Sequence, residues 1–286
     1  MTLRDSKKLH PELDFAAARR TFEASTHPVL TGESITSPYH AFSIEELRDV
    51  HGLREGTAVP TDVFVFGKGE SPRREATKVG GIPYWPADQL WPTGDDGSPL
   101  FFLAQFNFAD SRDLFPTSLP GDVLLFLVED PEDYLEPDLM LFQWLPLGLT
   151  PISHFDESLM ATTAGPFYGV IHRSADYPDA SQRASKLRIS QNHNLPVLNG
   201  TKIGGVPHWI QGGEDWDDEK FLCQPGSIQA AHDVPYPWVN QEKPLGLRFD
   251  DQGIHGDSNE ISFGDMGNSY IFLNRDGAIV TSFECY

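Results

Sequence analysis

The residues that could do chemistry in this chain are ten histidines, two cysteines and a large excess of carboxylates. The histidines stand singly, with no His-x-His or His-x-x-x-His pair. A metal centre needs three or four converging ligands, and the spacing of His193 and His208 across a Gly-Gly turn fixes no common site. Cys223 lies in Phe-Leu-Cys-Gln, where a sister stretch has Ala104. A reactive thiol needs a base and an exposed electropositive setting; a slot shared by Cys and Ala reads as small and buried. Asp250, Asp251, Asp257 and Glu260 lack the Asp-x-Asp-x-Asp-Gly order of a calcium loop. No catalytic, metal-binding or cofactor-binding residue is expected.

The most site-like stretch is Phe263-Gly264-Asp265-Met266-Gly267-Asn268. Asp265 and Asn268, flanked by Gly264 and Gly267, suit an Asx-type turn. A sugar or nucleotide contact is the alternative, because polar loop residues carry function in many folds.

One stretch is used twice. Lys78, Gly80, Gly81, Pro83 and Trp85 recur in the same order as Lys202, Gly204, Gly205, Pro207 and Trp209. Trp91 and Phe102-Leu103-Ala104-Gln105 follow the first copy; Trp216 and Phe221-Leu222-Cys223-Gln224 follow the second. A fixed order of matching points, with small drift between them, implies an internal duplication. Paired glycines permit positive φ and close backbone approach, proline fixes φ, and tryptophan can close over the turn. The stretch therefore reads as a packed β-corner. A phosphate-binding loop would need a Gly-x-Gly-x-x-Gly or Walker pattern leading into a helix, and neither is present.

The elements that must position these corners are mostly strands. Asp62–Phe66, Leu100–Phe108, Val123–Val128, Leu139–Leu145, Pro244–Phe249, Ser269–Leu273 and Ala278–Phe283 are expected strands, β-branched, aromatic or continuously apolar. Val123–Val128 is apolar throughout and is expected to be buried on both faces. Helices are expected over 11–24, from the capping box at Ser43 to Gly52, and over 179–187. The expected fold is α+β, predominantly antiparallel β, an internally duplicated β unit with peripheral helices. The expected division is a helical extension at 1–58, a first repeat at 59–150, a connecting segment at 151–199 packed on the repeats, and a second repeat at 200–286.

The formal net charge is −21. Such a surface repels nucleic acid and anionic membranes and suits a basic partner. Three acidic loops stand out: Glu129, Asp130, Glu132 and Asp133 around Tyr134; Glu214, Asp215, Asp217, Asp218 and Glu219 around Trp216; and Asp250 with Asp251. Their carboxylates would speed encounter with a basic protein, with Tyr134 and Trp216 as anchors. The first residues lack an apolar signal region and no apolar run is long enough to span a bilayer, so the cytosol is the expected compartment, with both cysteines reduced.

The doubled Lys-x-Gly-Gly-x-Pro-x-Trp, each followed by Phe-Leu-x-Gln, and the Phe-Gly-Asp-Met-Gly-Asn-Ser-Tyr-Ile-Phe near the C-terminus resemble the bacterial YwqG-like family, a domain of unknown function. The resemblance covers about residues 60–286. It implies a duplicated, largely antiparallel β protein with no established catalytic residues, and for some members a toxin-immunity role. The expected function is that of a non-enzymatic protein-binding protein, an immunity protein that meets a basic toxin through its acidic surface. An enzyme or small-ligand binder with a pocket between the repeats is the alternative. A complex subunit docking through its N-terminal helices is a third reading.

Overall fold

The computed structural model describes residues 29–30, 59–131, 140–161, 166–176, 178, 197, 200–213, 216, 219–227, 248–250, 253–255, 261, 263 and 267–285. Its centre is a long antiparallel pair, β2 (Val59–Lys68) on β7 (Phe167–Asp176), in register from Val59 opposite Asp176 to Lys68 opposite Phe167. A short strand β1 (Val29–Leu30) lies parallel to β7.

Each central strand carries a flank. Beside β7 come β3 (Lys78–Val79), β4 (Phe101–Asn107), β5 (Val123–Val128) and β6 (Met140–Leu145). Beside β2 come β8 (Lys202–Gly204), β9 (Lys220–Gln224), β12 (Asn268–Leu273) and β13 (Ile279–Glu284). Both flanks begin with a Lys-x-Gly-Gly strand, continue with a Phe-Leu-x-Gln strand and end in two further strands, and all these pairings are antiparallel. A separate ribbon joins β10 (Arg248–Asp250) to β11 (Gly253–His255).

The core follows from the period of two along a strand. In β5, Leu124, Phe126 and Val128 enter one apolar cluster with Phe64, Phe66 and Phe106. Val123, Leu125 and Leu127 enter a second with Tyr84, Trp85, Phe102 and Phe155. All six residues of β5 are buried, as its unbroken apolar sequence predicts. Edge-to-face rings fix the first cluster: Phe106 lies 5.1 Å from Phe126, and Phe126 5.0 Å from Phe142.

The architecture is β-rich and antiparallel. The helical elements with described bounds are two 3-10 turns, Arg112–Leu114 and Glu157–Leu159. The peripheral helices expected over 11–24, 43–52 and 179–187 lie outside the described residues. The segment expected as a connector at 151–199 supplies β7. Its chain breakers bracket the strand, with Pro166 just before it and Pro178 just after. Gly169 within β7 admits Phe64: a Cβ there would sit 2.6 Å from the ring.

Candidate functional site

The two Lys-x-Gly-Gly corners are built by the same contacts. Gly80 and Gly81 have φ of 66° and 78°; Gly204 and Gly205 have 70° and 73°. Only glycine adopts this left-handed pair without strain. Lys78 stands opposite Gln105 in the ladder, and Lys202 opposite Gln224. Gln105 Oε1 accepts from the Tyr84 N–H at 2.8 Å, and its amide donates to the Ala76 carbonyl at 2.8 Å. Gln224 Oε1 accepts from the His208 N–H at 2.9 Å, and its amide donates to the Gly200 carbonyl at 2.9 Å. Tyr84 and His208 hold the same position in their stretches, as do Ala76 and Gly200. Each glutamine thus fastens the chain on both sides of its corner.

A carboxylate closes each corner. Glu70, just past β2, accepts from the Ile82 N–H at 2.5 Å and lies 3.5 Å from Lys78 Nζ. Asp176, the last residue of β7, accepts from the Val206 N–H and from Lys202 Nζ, both at 2.9 Å. Ile82 and Val206 are again equivalent positions. Sequence reasoning named the lysines and glycines but neither carboxylate.

The electrostatics follow from burial. Burial pulls Lys78 down to about 8, against the pull of Glu70, and the ammonium also donates to the Ile82 carbonyl. Lys202 is lowered too, by burial. Burial, with the Lys202 charge beside it, pushes His208 down to about 3, so its imidazole is neutral at physiological pH, with Nδ1 3.2 Å from the Val197 carbonyl. Cys223 is fully buried and burial holds its thiol well above the usual range, the opposite of an activated nucleophile. Asp62 is fully buried; burial raises it, and Arg173 and Ser111 offset part of that by hydrogen bonds. Arg173 also reaches Asp113, tying the 109–120 connection to the central pair. These ionisable groups spend their hydrogen bonds inside the fold. Among the described residues no group of three or more His, Cys, Asp or Glu is placed to hold a metal, and no helix is long and apolar enough to cross a membrane.

The corners set the position of what projects beyond them. After Trp85 the chain runs out through Ala87, Asp88, Gln89 and Leu90, all exposed, and returns at Trp91. Leu90 is 93% exposed. Beneath it Trp91 packs on Phe155 at 4.7 Å and on Trp85 at 5.3 Å, and its indole N–H donates to the Leu100 carbonyl at 2.7 Å. Asp95 and Asp96 occupy the next turn, where Asp96 accepts from the Ser98 N–H at 2.8 Å and is held below the usual carboxylate range by that bond. Glu129, just past β5, lies against Gly94 of the same turn. Asp88, Asp95, Asp96, Glu129 and Asp130 are all exposed. Between Lys78 and Arg173 the sequence holds a single Lys or Arg, Arg112, and that residue is paired with Asp122.

Of the expected partner-binding residues, Glu129 and Asp130 are thus exposed at this end. Trp216 is half-buried and stacks on Phe272 at 4.6 Å, and Glu219 is half-buried behind it. Asp250 closes β10. Glu132, Asp133, Tyr134, Glu214, Asp215, Asp217, Asp218 and Asp251 lie outside the described residues, as do Gly264 and Asp265. Gly267 is tucked under Phe283, where a Cβ would meet the ring at 2.4 Å. Asn268 opens β12 and donates to the His208 carbonyl at 3.3 Å. The Gly267 N–H donates to the Phe263 carbonyl at 2.7 Å, so both residues hydrogen-bond to backbone within the fold. Asp88, Asp95, Asp96 and Leu90 were not singled out in the sequence. The signal for them is the missing Lys and Arg across this half of the sheet.

No curated protein matches the chain. A family model matches residues 77–284, from the first corner to the last strand. The chain belongs to the family described as Domain of unknown function (DUF1963).

Proposed function

We propose that this chain is a non-enzymatic, cytosolic protein-binding protein that meets a basic partner through its acidic surface. The observation that carries the reading is the end of the sheet formed by 88–96 and 129–130. Five exposed carboxylates lie on the two segments that also carry Leu90, itself 93% exposed, and the 88–96 segment is braced by Trp85, Trp91 and Phe155. An exposed apolar residue on segments of one charge suits a protein interface, where the charges steer encounter and the apolar contact holds the complex. The resemblance to the bacterial YwqG-like family supports a toxin-immunity role, in which the partner is a basic toxin. The equivalent hydrogen bonds of the two corners support a duplicated β unit as the scaffold, the second flank repeating the first.

The test is kinetic. The partner is recovered from the native cell, and its association rate is measured with the wild-type chain and with an Asp95→Lys, Asp96→Lys, Glu129→Lys variant. The wild-type rate is expected to fall steeply with salt and the variant's to be at least about tenfold slower in low salt. Equal rates in low salt remove the reading.

A further inference from the structure

The sheet has two ends, and they are finished differently. At the β13 end Glu284 accepts from the N–H groups of Ile210, Gln211 and Gly213 at 2.6, 2.9 and 3.0 Å, and Gln211 donates to the Cys285 carbonyl. The 210–213 loop is laced to that strand. At the β6 end no described residue pairs beyond Met140–Leu145. The strand reads Met-Leu-Phe-Gln-Trp-Leu, without the Lys, Pro or bulge that native edges use to refuse another strand. Leu141 is 39% exposed and Leu147, just past the strand, 43%.

The main-chain groups of β6 alternate in direction. Asp122 N–H donates to the Leu145 carbonyl at 2.9 Å, so Leu145 faces β5. Main-chain groups alternate sides along an antiparallel strand, which turns those of Trp144 and Phe142 to the open edge. The Trp144 carbonyl is met there by the side chain of Gln143 at 3.0 Å.

We infer that β6 is a docking edge that takes an extended, basic segment of a partner as an additional antiparallel or parallel strand. Charge complementarity selects that occupant. The ten residues from Glu129 to Asp138 include six carboxylates, and Glu129 and Asp130 are exposed where β5 ends beside the start of β6. A second copy of this chain would bring the same acidic sequence and a net charge of −21 against it. Main-chain hydrogen bonds would supply affinity in this mode, and alternate side chains specificity. This inference rests on the acidic-surface reading above and adds to it the place and manner of binding.

The experiment uses the full chain and a nine-residue probe peptide of alternating Lys and Val, with amide hydrogen exchange read at Phe142 and Trp144. Binding is expected to slow exchange at both amides. The same peptide N-methylated at every residue keeps the charge but cannot pair, and is expected to bind at least about tenfold more weakly. Equal binding of the two peptides without protection at Phe142 and Trp144 overturns strand addition and leaves the electrostatic reading standing. Equal protection by a Glu-Val peptide overturns the basic occupant, and the acidic-surface reading with it. Protection that rises with protein concentration, without peptide, makes a second copy the occupant and overturns the inference.

Discussion

Lys202 Nζ lies 2.9 Å from Asp176 Oδ2, and both side chains are fully buried. The equivalent pair in the other flank, Lys78 and Glu70, is 3.5 Å apart with Glu70 one-third exposed. A buried ion pair is strongly destabilised by losing one partner, because the other charge stays buried without compensation. Asp176→Asn is therefore expected to cost about 3–5 kcal/mol, read from the urea midpoint. Glu70→Gln is expected to cost about 1 kcal/mol or less, since water screens a half-open pair. Adding Lys202→Met to Asp176→Asn should recover most of the loss. Equal costs for the two single variants would show that the corners are not held by these carboxylates.

The glycines of the corners make a graded series. At Gly205 a Cβ would lie 2.1 Å from Asp176 Oδ2 and 2.8 Å from Thr61 Cβ, all within the interior. At Gly81 it would lie 2.0 Å from Glu70 Oε1, on a side chain that can swing outward, and 2.8 Å from Pro166. At Gly97 nothing stands within 4 Å. Gly97→Ala should cost about 1 kcal/mol from its positive φ alone. Gly81→Ala should cost more and Gly205→Ala the most, about 3 kcal/mol or above. Thermal or urea unfolding of the three variants gives the order directly.

His208 makes acid stability predictable. Its folded pKa of about 3 lies below the 6.5 of a free histidine. Between those values the unfolded chain binds a proton that the folded one refuses, so stability contributed above pH 6.5 is lost as pH falls toward 3. His208→Phe should flatten the decline in unfolding midpoint below pH 6.5. A slope unchanged by the substitution would mean that the imidazole is protonated in the fold.

Lys78 acts in the alkaline range with the same logic. Its folded pKa of about 8 lies below the ordinary 10.5. Between those values the unfolded chain holds the extra proton, so stability rises with pH. Lys202 is lowered as well and adds in the same direction. Lys78→Met should reduce the rise in urea midpoint above pH 8. A midpoint that falls from pH 8 to 9 in the wild type would contradict the burial of these ammonium groups.

Much of the flank was legible because its residues act locally. Val123–Val128 is apolar at every position and is buried on both faces, with the bounds expected. The paired glycines announced their positive φ, and Phe-Leu-x-Gln announced a strand whose glutamine recurs. β7 was hidden because Pro166, Gly169 and Pro178 look like interruptions, and because its partner β2 is about a hundred residues earlier in the chain. Of the acidic tip only Glu129 and Asp130 were singled out in sequence, because Asp88, Asp95 and Asp96 are ordinary loop residues there. Only the approach of the Glu129 loop to Gly94 brings them to one end.

What the sequence determined on its own was the backbone vocabulary: where the chain can turn through left-handed angles, which runs must be strands, and that the surface would be strongly negative. These depend on a residue and its near neighbours. What the tertiary structure alone decided was which carboxylate meets which lysine and which strand is left at an end. Glu70 precedes its glycine by eleven residues and Asp176 by twenty-nine, so no common spacing could reveal their shared role. Closing a corner depends on distance in space, and a sheet sets that distance by strand order.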